Sequence, residues 1–319
     1  MTIRALACVA LFALAAAPPP AVVEYEIPRP GAFPHDPAVG ADGIVWYTDQ
    51  ANSFIGRLDP ATGRITDYAT PTPASGPHGI EVAADGMVWY TGQRNGVLGR
   101  LDPRSGQITE FPLPANASAP HTPIVHQGRI WFTAQTNNTY GVLDPATGRA
   151  QVWTLSTPRA LPYGIRPAPD GSIWMVEFGT NKVGHINPAD GSIREFTLPN
   201  PAARPRRLQV AANGTVYYTD YGRNFLGALD PSTGQVREWP SPTPNARPYG
   251  IVIAPDGRVW FDEAAANKMV VFDPATEQME EVPIPTATTI VRHIAVDSTR
   301  HRIWLALSGT GRIGRIDVP

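Results

Sequence analysis

The stretch Gly76–Gly92, GPHGIEVAADGMVWYTG, returns in altered form at intervals of 42 to 44 residues along the chain. The copies are aligned on the aromatic residue that follows valine or isoleucine, which places seven aromatic residues in register: Trp46, Trp89, Trp131, Trp174, Tyr217, Trp260 and Trp304. A second motif, which reads GRLDPATG at 56–63, follows at a constant offset in the first six copies. Self-similarity at this period over nearly the whole chain predicts one repeat fold.

Each copy contains four apolar segments of strand length. In the second copy they are GIEVAA, MVWYTG, GVLGRLD and ITEFPLP. The ADG and DPxTG sequences between them are typical of tight hairpins, because proline presets φ and glycine accepts a positive φ. Four strands in about 43 residues are typical of a β-propeller blade. We therefore predict an all-β, seven-bladed β-propeller with four antiparallel strands in each blade.

The two ends of the repeat array complement one another. The seventh copy stops at GRIDVP (314–319), after its third strand, whereas VEYEIP (23–28) resembles the fourth strand ITEFPLP of the second copy. An N-terminal strand that completes the last blade would remove an exposed sheet edge. We therefore expect residues 22–319 to form a single propeller that the N-terminal strand closes.

The first residues predict export. Arg4 precedes the apolar run Ala5–Ala17, which ends in small residues and prolines. This pattern is typical of a secretory signal peptide, here residues 1–21, with cleavage between about Ala16 and Val22. The only cysteine, Cys8, lies within it. We therefore expect a periplasmic or secreted protein that is free of cysteine, monomeric and without a membrane anchor.

Charge and composition restrict the classes of molecule that the protein is expected to bind. The net charge is −2 and no run of basic residues resembles a nucleic-acid site. The 29 glycines and 35 prolines among 319 residues indicate many turns and few long helices. Phosphate-binding, zinc-protease and nucleophile-elbow motifs are absent from the sequence. We therefore expect a small-molecule partner and no nucleic acid.

Strand direction places the start of PHGI and the end of VWYT on one face, around the mouth of the central channel. Two rings of residues are expected there. The ring at the position of His78 contains His35, His78, His121, Tyr163, Arg206, Tyr249 and His293. The ring three residues after the aligned aromatic residues contains Asp49, Gly92, Ala134, Glu177, Asp220, Glu263 and Leu307. Because channel mouths are frequent ligand sites, we predict that the first ring, together with Arg292, contacts a small molecule.

Alternatives to this interpretation remain open. Duplication copies residues, so each histidine could be a repeated packing residue whose imidazole bonds to a neighbouring loop. The four histidines could instead hold a metal ion, but ring positions alone do not define ligand distances, and the metal ligands are therefore unknown.

The chain resembles the streptogramin B lyase (virginiamycin B lyase) family. The resemblance rests on PTPNARPYGIVIAPDGRVWF (242–261), TPASGPHGI and ITEFPLP, and extends over about residues 23–319. It implies a seven-bladed propeller that opens a cyclic depsipeptide at its ester by C–O elimination, with magnesium and a histidine base. The family's penultimate-blade histidine falls at Tyr249, and its Glu-Pro-His sequence falls on Val291, Arg292 and His293. Its metal-side glutamate falls at about Ser308.

The resemblance implies His293 as the catalytic base, and Arg292 could stabilise an enolate in place of a metal. Magnesium is the implied cofactor, although Val291 and Ser308 offer no carboxylate to it. The prediction is an exported, lyase-like propeller that acts on an ester-containing small molecule or cyclic depsipeptide. A ligand-binding or scaffolding propeller without catalysis and a metal-dependent lactone hydrolase are the alternatives.

Overall fold

A computed structural model describes residues 20–319 as seven four-stranded antiparallel sheets. The sheets follow one another around a central channel, and the first strands of neighbouring blades lie side by side. This confirms the predicted seven-bladed β-propeller. The predicted signal peptide falls almost entirely on residues 1–19, which lie outside the described residues, and it stays a prediction. No helix within residues 20–319 has the length and apolar character needed to cross a membrane.

The strands occupy the same four positions in every blade. The first strands, which line the channel, are β2 (Pro34–Val39), β6 (Pro77–Val82), β10 (Pro120–His126), β14 (Pro162–Pro167), β18 (Pro205–Val210), β22 (Pro248–Ile253) and β26 (Val291–Asp297). The second strands are β3 (Val45–Asp49), β7 (Val88–Gly92), β11 (Arg129–Ala134), β15 (Ile173–Glu177), β19 (Val216–Asp220), β23 (Val259–Glu263) and β27 (Arg302–Leu307). The third strands are β4 (Phe54–Asp59), β8 (Val97–Leu101), β12 (Thr139–Asp144), β16 (Lys182–Ile186), β20 (Phe225–Leu229), β24 (Lys268–Asp273) and β28 (Arg312–Asp317). The outermost strands are β5 (Arg64–Ala69), β9 (Ile108–Pro112), β13 (Arg149–Thr154), β17 (Ile193–Thr197), β21 (Val236–Pro240), β25 (Gln278–Pro283) and β1 (Val22–Glu26).

Short helical turns interrupt the described chain at η1 (Ala115–Ala117), η2 (Gln135–Asn137) and η3 (Ser308–Thr310).

The DPxTG hairpins are held by their own side chains. The Asp59 carboxylate accepts a hydrogen bond from the Ala61 N–H at 3.0 Å, and Gly63 has φ of 70°. A side chain that accepts from the backbone two residues ahead stabilises a turn locally, and glycine takes the positive φ without a steric cost. These residues are therefore structural, as the repeat pattern predicts.

The aligned aromatic residues form the packing between the strands of each blade. Trp89 is 3% exposed and its ring lies 5.4 Å from that of Phe111 on the outermost strand β9. In the last blade the partner comes from the N-terminal strand, since Tyr25 lies 5.9 Å from Trp304. The N-terminal segment therefore supplies the outer aromatic contact of the blade that it completes.

The closure of the last blade is confirmed in register. β1 pairs antiparallel with β28, with Val22 opposite Ile316 and Glu26 opposite Arg312. The Glu24 carboxylate accepts hydrogen bonds from the Thr286 N–H and hydroxyl. The N-terminal strand β1 therefore covers the edge of β28 that would otherwise be open.

Removing the closing strand should destabilise the whole propeller. A chain that begins at Arg29 loses the β1 ladder, the Tyr25–Trp304 contact and the Glu24 hydrogen bonds. We expect the free energy of unfolding to fall by several kcal/mol, a large part of the usual total. Thermal unfolding of the two chains measures this, and equal melting temperatures would contradict the role of the strand.

Candidate functional site

The first strand of each blade carries a bulge where it begins at the channel mouth. In the second blade the register with β7 shifts between Pro77 and Ile80. The bulge takes His78 and Gly79 out of regular pairing, and the Gly79 N–H donates to Thr91 Oγ1 at 2.9 Å instead. Thr91 Oγ1 in turn donates to the carbonyl of His121 in the next blade, at 2.8 Å. Each bulge therefore presents two consecutive residues near the channel.

These bulges define two rings of residues by strand register. The upper ring contains His35, His78, His121, Tyr163, Arg206, Tyr249 and Arg292. The middle ring, one residue deeper in each blade, contains Asp36, Gly79, Thr122, Gly164, Arg207, Gly250 and His293.

The register of the last blade places His293 in the middle ring, not in the upper ring. Val291 lies opposite Leu307 and Ile294 opposite Leu305, as Pro248 and Ile251 do with their partners in the sixth blade. The position equivalent to His78 is therefore occupied by Arg292. The expected arc of four histidines contains three in this structure.

The three upper-ring histidines and Tyr163 form a stack only in the sense of a continuous row, because each ring is tilted by 45° to 50° against the next. Ring centroids are 3.9 Å apart from His35 to His78, 3.9 Å from His78 to His121, and 3.8 Å from His121 to Tyr163. All four side chains are buried. Burial lowers the pKa of the three histidines, because the imidazolium would lose its hydration. The stack is therefore a neutral, packed wall of the channel.

A buried ion pair crosses the channel in the middle ring. Arg207 of the fifth blade donates to the Asp36 carboxylate of the first blade at 2.9 Å and to Thr122 of the third blade at 3.0 Å. Burial would raise the pKa of Asp36, but the Arg207 charge and the His35 hydrogen bond hold it well below its ordinary value. Arg207 therefore ties three blades together and fills the channel at this level.

A metal ion would have to displace this ion pair. His35, Asp36 and His78 each offer one possible ligand atom, and these atoms lie within 4.8 Å of one another. The Asp36 carboxylate already faces the Arg207 guanidinium, and His35 Nδ1 lies 2.7 Å from Asp36 Oδ1. The cluster is therefore built around a resident cation, the guanidinium.

His293 is held in one tautomer by Arg166 of the fourth blade. The Arg166 Nη2 lies 2.9 Å from His293 Nε2. Arginine only donates, so Nε2 accepts and the neutral ring carries its proton on Nδ1. Burial, with the nearby Arg207 charge, lowers the pKa of His293 well below its ordinary value. His293 Nδ1 has no hydrogen-bond partner among residues 20–319, so it is a free donor.

The other side of the upper ring is an aromatic cage around Arg206. The guanidinium carbon lies 4.8 Å from the Tyr163 ring, 4.7 Å from Phe178, 4.2 Å from Tyr221 and 4.2 Å from Tyr249. Arg206 donates to the Tyr163 hydroxyl at 2.9 Å, and that hydroxyl lies 2.6 Å from the Tyr249 hydroxyl. Cation–π contacts and hydrogen bonds therefore fix the side chain at the mouth.

The residues that rim the mouth were missed at the sequence level. They follow the second strand of each blade directly and are Gln50, Gln93, Gln135, Phe178, Tyr221, Ala264 and Ser308. Gln50 donates to Gln93 at 3.1 Å, which shows that neighbouring rim side chains meet. Phe33 adds a further aromatic ring, 5.7 Å from the Arg292 guanidinium. The sequence signal that could have identified the rim is the residue after each VWYTD-like segment. It is glutamine in the first three copies and aromatic in the next two.

The acidic residues of the second expected ring do not line the channel. Asp49 pairs with Arg29 at 2.6 Å, Asp220 accepts from the Arg204 N–H at 2.9 Å, and Glu263 accepts from Ser241 at 2.6 Å. Each carboxylate binds the connection next to its own strand. The ring is on the predicted face, but its side chains serve the loops.

The positions that the resemblance implies as magnesium ligands do not fit a metal here. Val291 is 1% exposed and apolar. Ser308 is 2% exposed, and its hydroxyl donates to the Pro34 carbonyl. A hard cation requires oxygen ligands that neither residue can supply. The magnesium expectation therefore has no support in these side chains.

Asp262 is a buried acid at a position that holds threonine in four other blades. Thr48, Thr91, Thr133 and Thr219 each donate to a carbonyl of the next blade, at distances of 2.6 to 2.8 Å. Asp262 Oδ1 accepts from the Gly250 N–H, whereas Oδ2 has no partner among residues 20–319. Burial raises the pKa of Asp262 well above its ordinary value. This carboxyl therefore favours its neutral form.

Comparison with known proteins gives the family. The model of the virginiamycin B lyase family matches residues 20–261. The chain belongs to the virginiamycin B lyase family. No curated protein sequence matches it.

Solved structures of virginiamycin B lyase are similar to this chain over nearly the whole propeller. The selenomethionine-substituted enzyme from Staphylococcus aureus is 28% identical, with a TM-score of 0.86 over 93% of this chain and 99% of that one. A catalytically inactive histidine-to-alanine variant of the same enzyme with quinupristin is 28% identical, with a TM-score of 0.87 over the same shares. Hydrazine synthase from Kuenenia stuttgartiensis is 13% identical, with a TM-score of 0.77 over 92% of this chain and 97% of that one, and shows the fold alone.

Replacing Asp262 by threonine should stabilise the protein increasingly as pH rises. Because its pKa is raised in the folded state, Asp262 contributes its full stability below the unfolded pKa near 4 and loses it as pH rises towards the folded pKa. Threonine keeps an acceptor for Gly250 and adds a donor, so a gain of about 1 kcal/mol is expected at pH 8.

Urea unfolding of both chains from pH 4 to 9 measures the difference. The histidines are the same in both chains, so their contributions cancel when the two free energies of unfolding are subtracted. As a control, Thr219→Val should lower stability by about 1 kcal/mol at every pH. A difference for Asp262→Thr that does not change with pH would contradict the neutral acid.

Proposed function

We propose that this protein binds a small, peptide-like or ester-containing molecule at the mouth of the channel on the upper-ring face. The observation that carries the proposal is the composition of the rim. Half-buried glutamines follow the second strands of blades one to three, and the aromatic residues Phe178 and Tyr221 follow those of blades four and five. Amide side chains pair with peptide groups, while aromatic faces pack against apolar ones. Such a rim suits a depsipeptide.

Two arginines add unused donors to this mouth. The Nε atoms of Arg206 and Arg292 have no hydrogen-bond partner among residues 20–319, and both side chains are only half-buried. A buried donor without an acceptor is costly. The half-buried guanidinium groups lie at the mouth, where their other nitrogens could bind carbonyl or carboxylate oxygens of a ligand. The buried imidazoles of His35, His78 and His121 act in this proposal as a wall of the site.

The relatives support this class of ligand. A structure of the Staphylococcus aureus enzyme contains quinupristin, and this chain is similar to it over nearly its whole length. The same face of the propeller is the place where the family resemblance puts its active site. Quinupristin is therefore the first molecule to test.

C–O elimination is the second function, and family membership with His293 favours it. In such a reaction a base removes the proton α to a carbonyl, the electrons form a carbon–carbon double bond, and the ester oxygen leaves as a carboxylate. The related enzyme is inactive when a histidine is replaced by alanine. Here the His293 Nε2 lone pair is engaged by Arg166, so His293 acts as a base only after that hydrogen bond opens. Arg292 and Arg206 would stabilise the enolate charge.

Quinupristin tests both functions in one experiment. We expect calorimetry to show binding that weakens at least tenfold in Arg206→Met and in Arg292→Met, with the exposed Arg149→Gln as the control. Mass spectrometry follows the chemistry, because elimination opens the ring without a change in mass, whereas hydrolysis adds one water. His293→Ala should reduce any opening by about 10²–10⁴-fold.

Three results would contradict the proposals. Unchanged binding in both arginine variants would remove the mouth site, and opening that survives in His293→Ala would remove the catalytic role. Opening of the quinupristin ring that depends on magnesium would show that the metal acts without acids at Val291 and Ser308.

We also propose that the protein is exported, on the pattern of residues 1–21. Fusion of residues 1–25 to a reporter that is active only outside the cytoplasm should give signal. Replacement of Leu11 and Leu14 by arginine interrupts the apolar run and should abolish the signal. Equal activity of the two fusions would contradict export.

A further inference from the structure

The opposite end of the channel contains a cavity, which is independent of the proposed function at the mouth. It lies below the middle ring and has a volume of about 250 Å³. One residue of each first strand points to this level, in what we call the lower ring: Ala38, Glu81, Ile124, Arg166, Gln209, Val252 and Ala295. A cavity of this size accommodates several waters or one small organic molecule and is smaller than a drug-sized pocket.

Three lower-ring residues are polar, and the other four are apolar. Glu81 comes from the second blade, Arg166 from the fourth and Gln209 from the fifth, and all three are half-buried. Blades six, seven and one contribute only Val252, Ala295 and Ala38. The polar groups therefore converge from one side on a cavity whose other wall is apolar and small.

Glu81 and Arg166 face the same cavity without forming a salt bridge. Burial raises the pKa of Glu81, and the Arg166 charge opposes this through space, without a hydrogen bond between the two side chains. Arg166 uses Nη1 on the Ile165 carbonyl at 3.1 Å and Nη2 on His293 at 2.9 Å. The two opposite charges are thus held apart by other contacts, with the cavity between their blades.

Gln209 adds an acceptor beside the two charges. Its Nε2 donates to the Ile251 carbonyl at 3.1 Å. The Oε1 of the same amide therefore remains available to accept a hydrogen bond from a ligand. The cavity then offers a carboxylate and an amide oxygen as acceptors and a guanidinium as a donor. A ligand that matches all three carries an ammonium group and a carboxylate on a short apolar frame.

We infer that the lower end of the channel binds the zwitterion of a small α-amino acid. The ammonium group contacts Glu81 and Gln209, the carboxylate contacts Arg166, and the side chain lies against Ala38, Val252 and Ala295. Neither a simple anion nor a simple amine satisfies both charges, so each binds more weakly than the zwitterion.

Calorimetry with L-alanine tests this site, with acetate and methylammonium as the single-charge probes. We expect one L-alanine per chain and at least tenfold weaker binding of either single-charge probe. Glu81→Gln and Arg166→Gln should each weaken L-alanine binding at least tenfold. The exposed pair Glu280→Gln and Arg149→Gln removes the same charges elsewhere and should leave binding unchanged.

Methyl NMR locates the ligand without depending on the variants. L-Alanine should shift the methyl signals of Ala38, Val252 and Ala295, while those of Ala117 near the outer loops stay in place. Absence of binding, binding that survives in Glu81→Gln, or acetate that binds as tightly as L-alanine would each overturn the zwitterion site. Quinupristin binding at the other end is measured separately, so the two proposals fail independently.

Discussion

The threonine bridge between neighbouring blades is the interaction on which the channel depends. Each bulge at the start of a first strand leaves an N–H in its own blade and a carbonyl in the next blade outside the regular ladders. In four of the seven blades one threonine hydroxyl accepts from the first and donates to the second, as Thr91 does with Gly79 and His121. Because buried backbone groups must be paired, this single contact sets how closely two blades approach. It also explains why the aromatic side chains of neighbouring blades lie in contact around the channel axis.

This spacing makes the middle of the channel a closed layer. Arg207 crosses to Asp36 and Thr122, and Arg166 crosses to His293, so guanidinium groups span the gap that the bulges leave. The centre of the channel is therefore occupied by protein side chains. His293 belongs to this closed layer, and His35, His78 and His121 are buried in the ring above it. The half-buried groups at the mouth are arginines, glutamines and aromatic residues.

The fold was predictable because its signals are local and repeated: turn residues, strand patterns and one period. Closure by the N-terminal strand could also be predicted, since VEYEIP matches the absent fourth strand. The site was only partly predictable. His293 was aligned as a histidine, whereas the pairing of Val291 with Leu307 puts Arg292 in that place, and a register offset of one residue leaves no trace in composition. The carboxylates were placed on the correct face, but alternation along the second strand turns them towards the loops.

Val291 and Ser308 offer no carboxylate at the positions where the family resemblance implies acids, and four arginines lie in the channel. A magnesium ion supplies positive charge only when carboxylates hold it, and it dissociates when they are absent. Arg166, Arg206, Arg207 and Arg292 supply positive charge permanently, and Asp36 and Glu81 are the acids in the three rings. Asp262, on the second strand β23, favours its neutral form. Permanent charge needs no metal, but it must be anchored. The aromatic cage anchors Arg206, the carboxylate of Asp36 anchors Arg207, and the lone pair of His293 anchors Arg166. Anchoring Arg166 engages the nitrogen that an elimination would use, which supports the proposal of ligand binding over the proposal of proton abstraction.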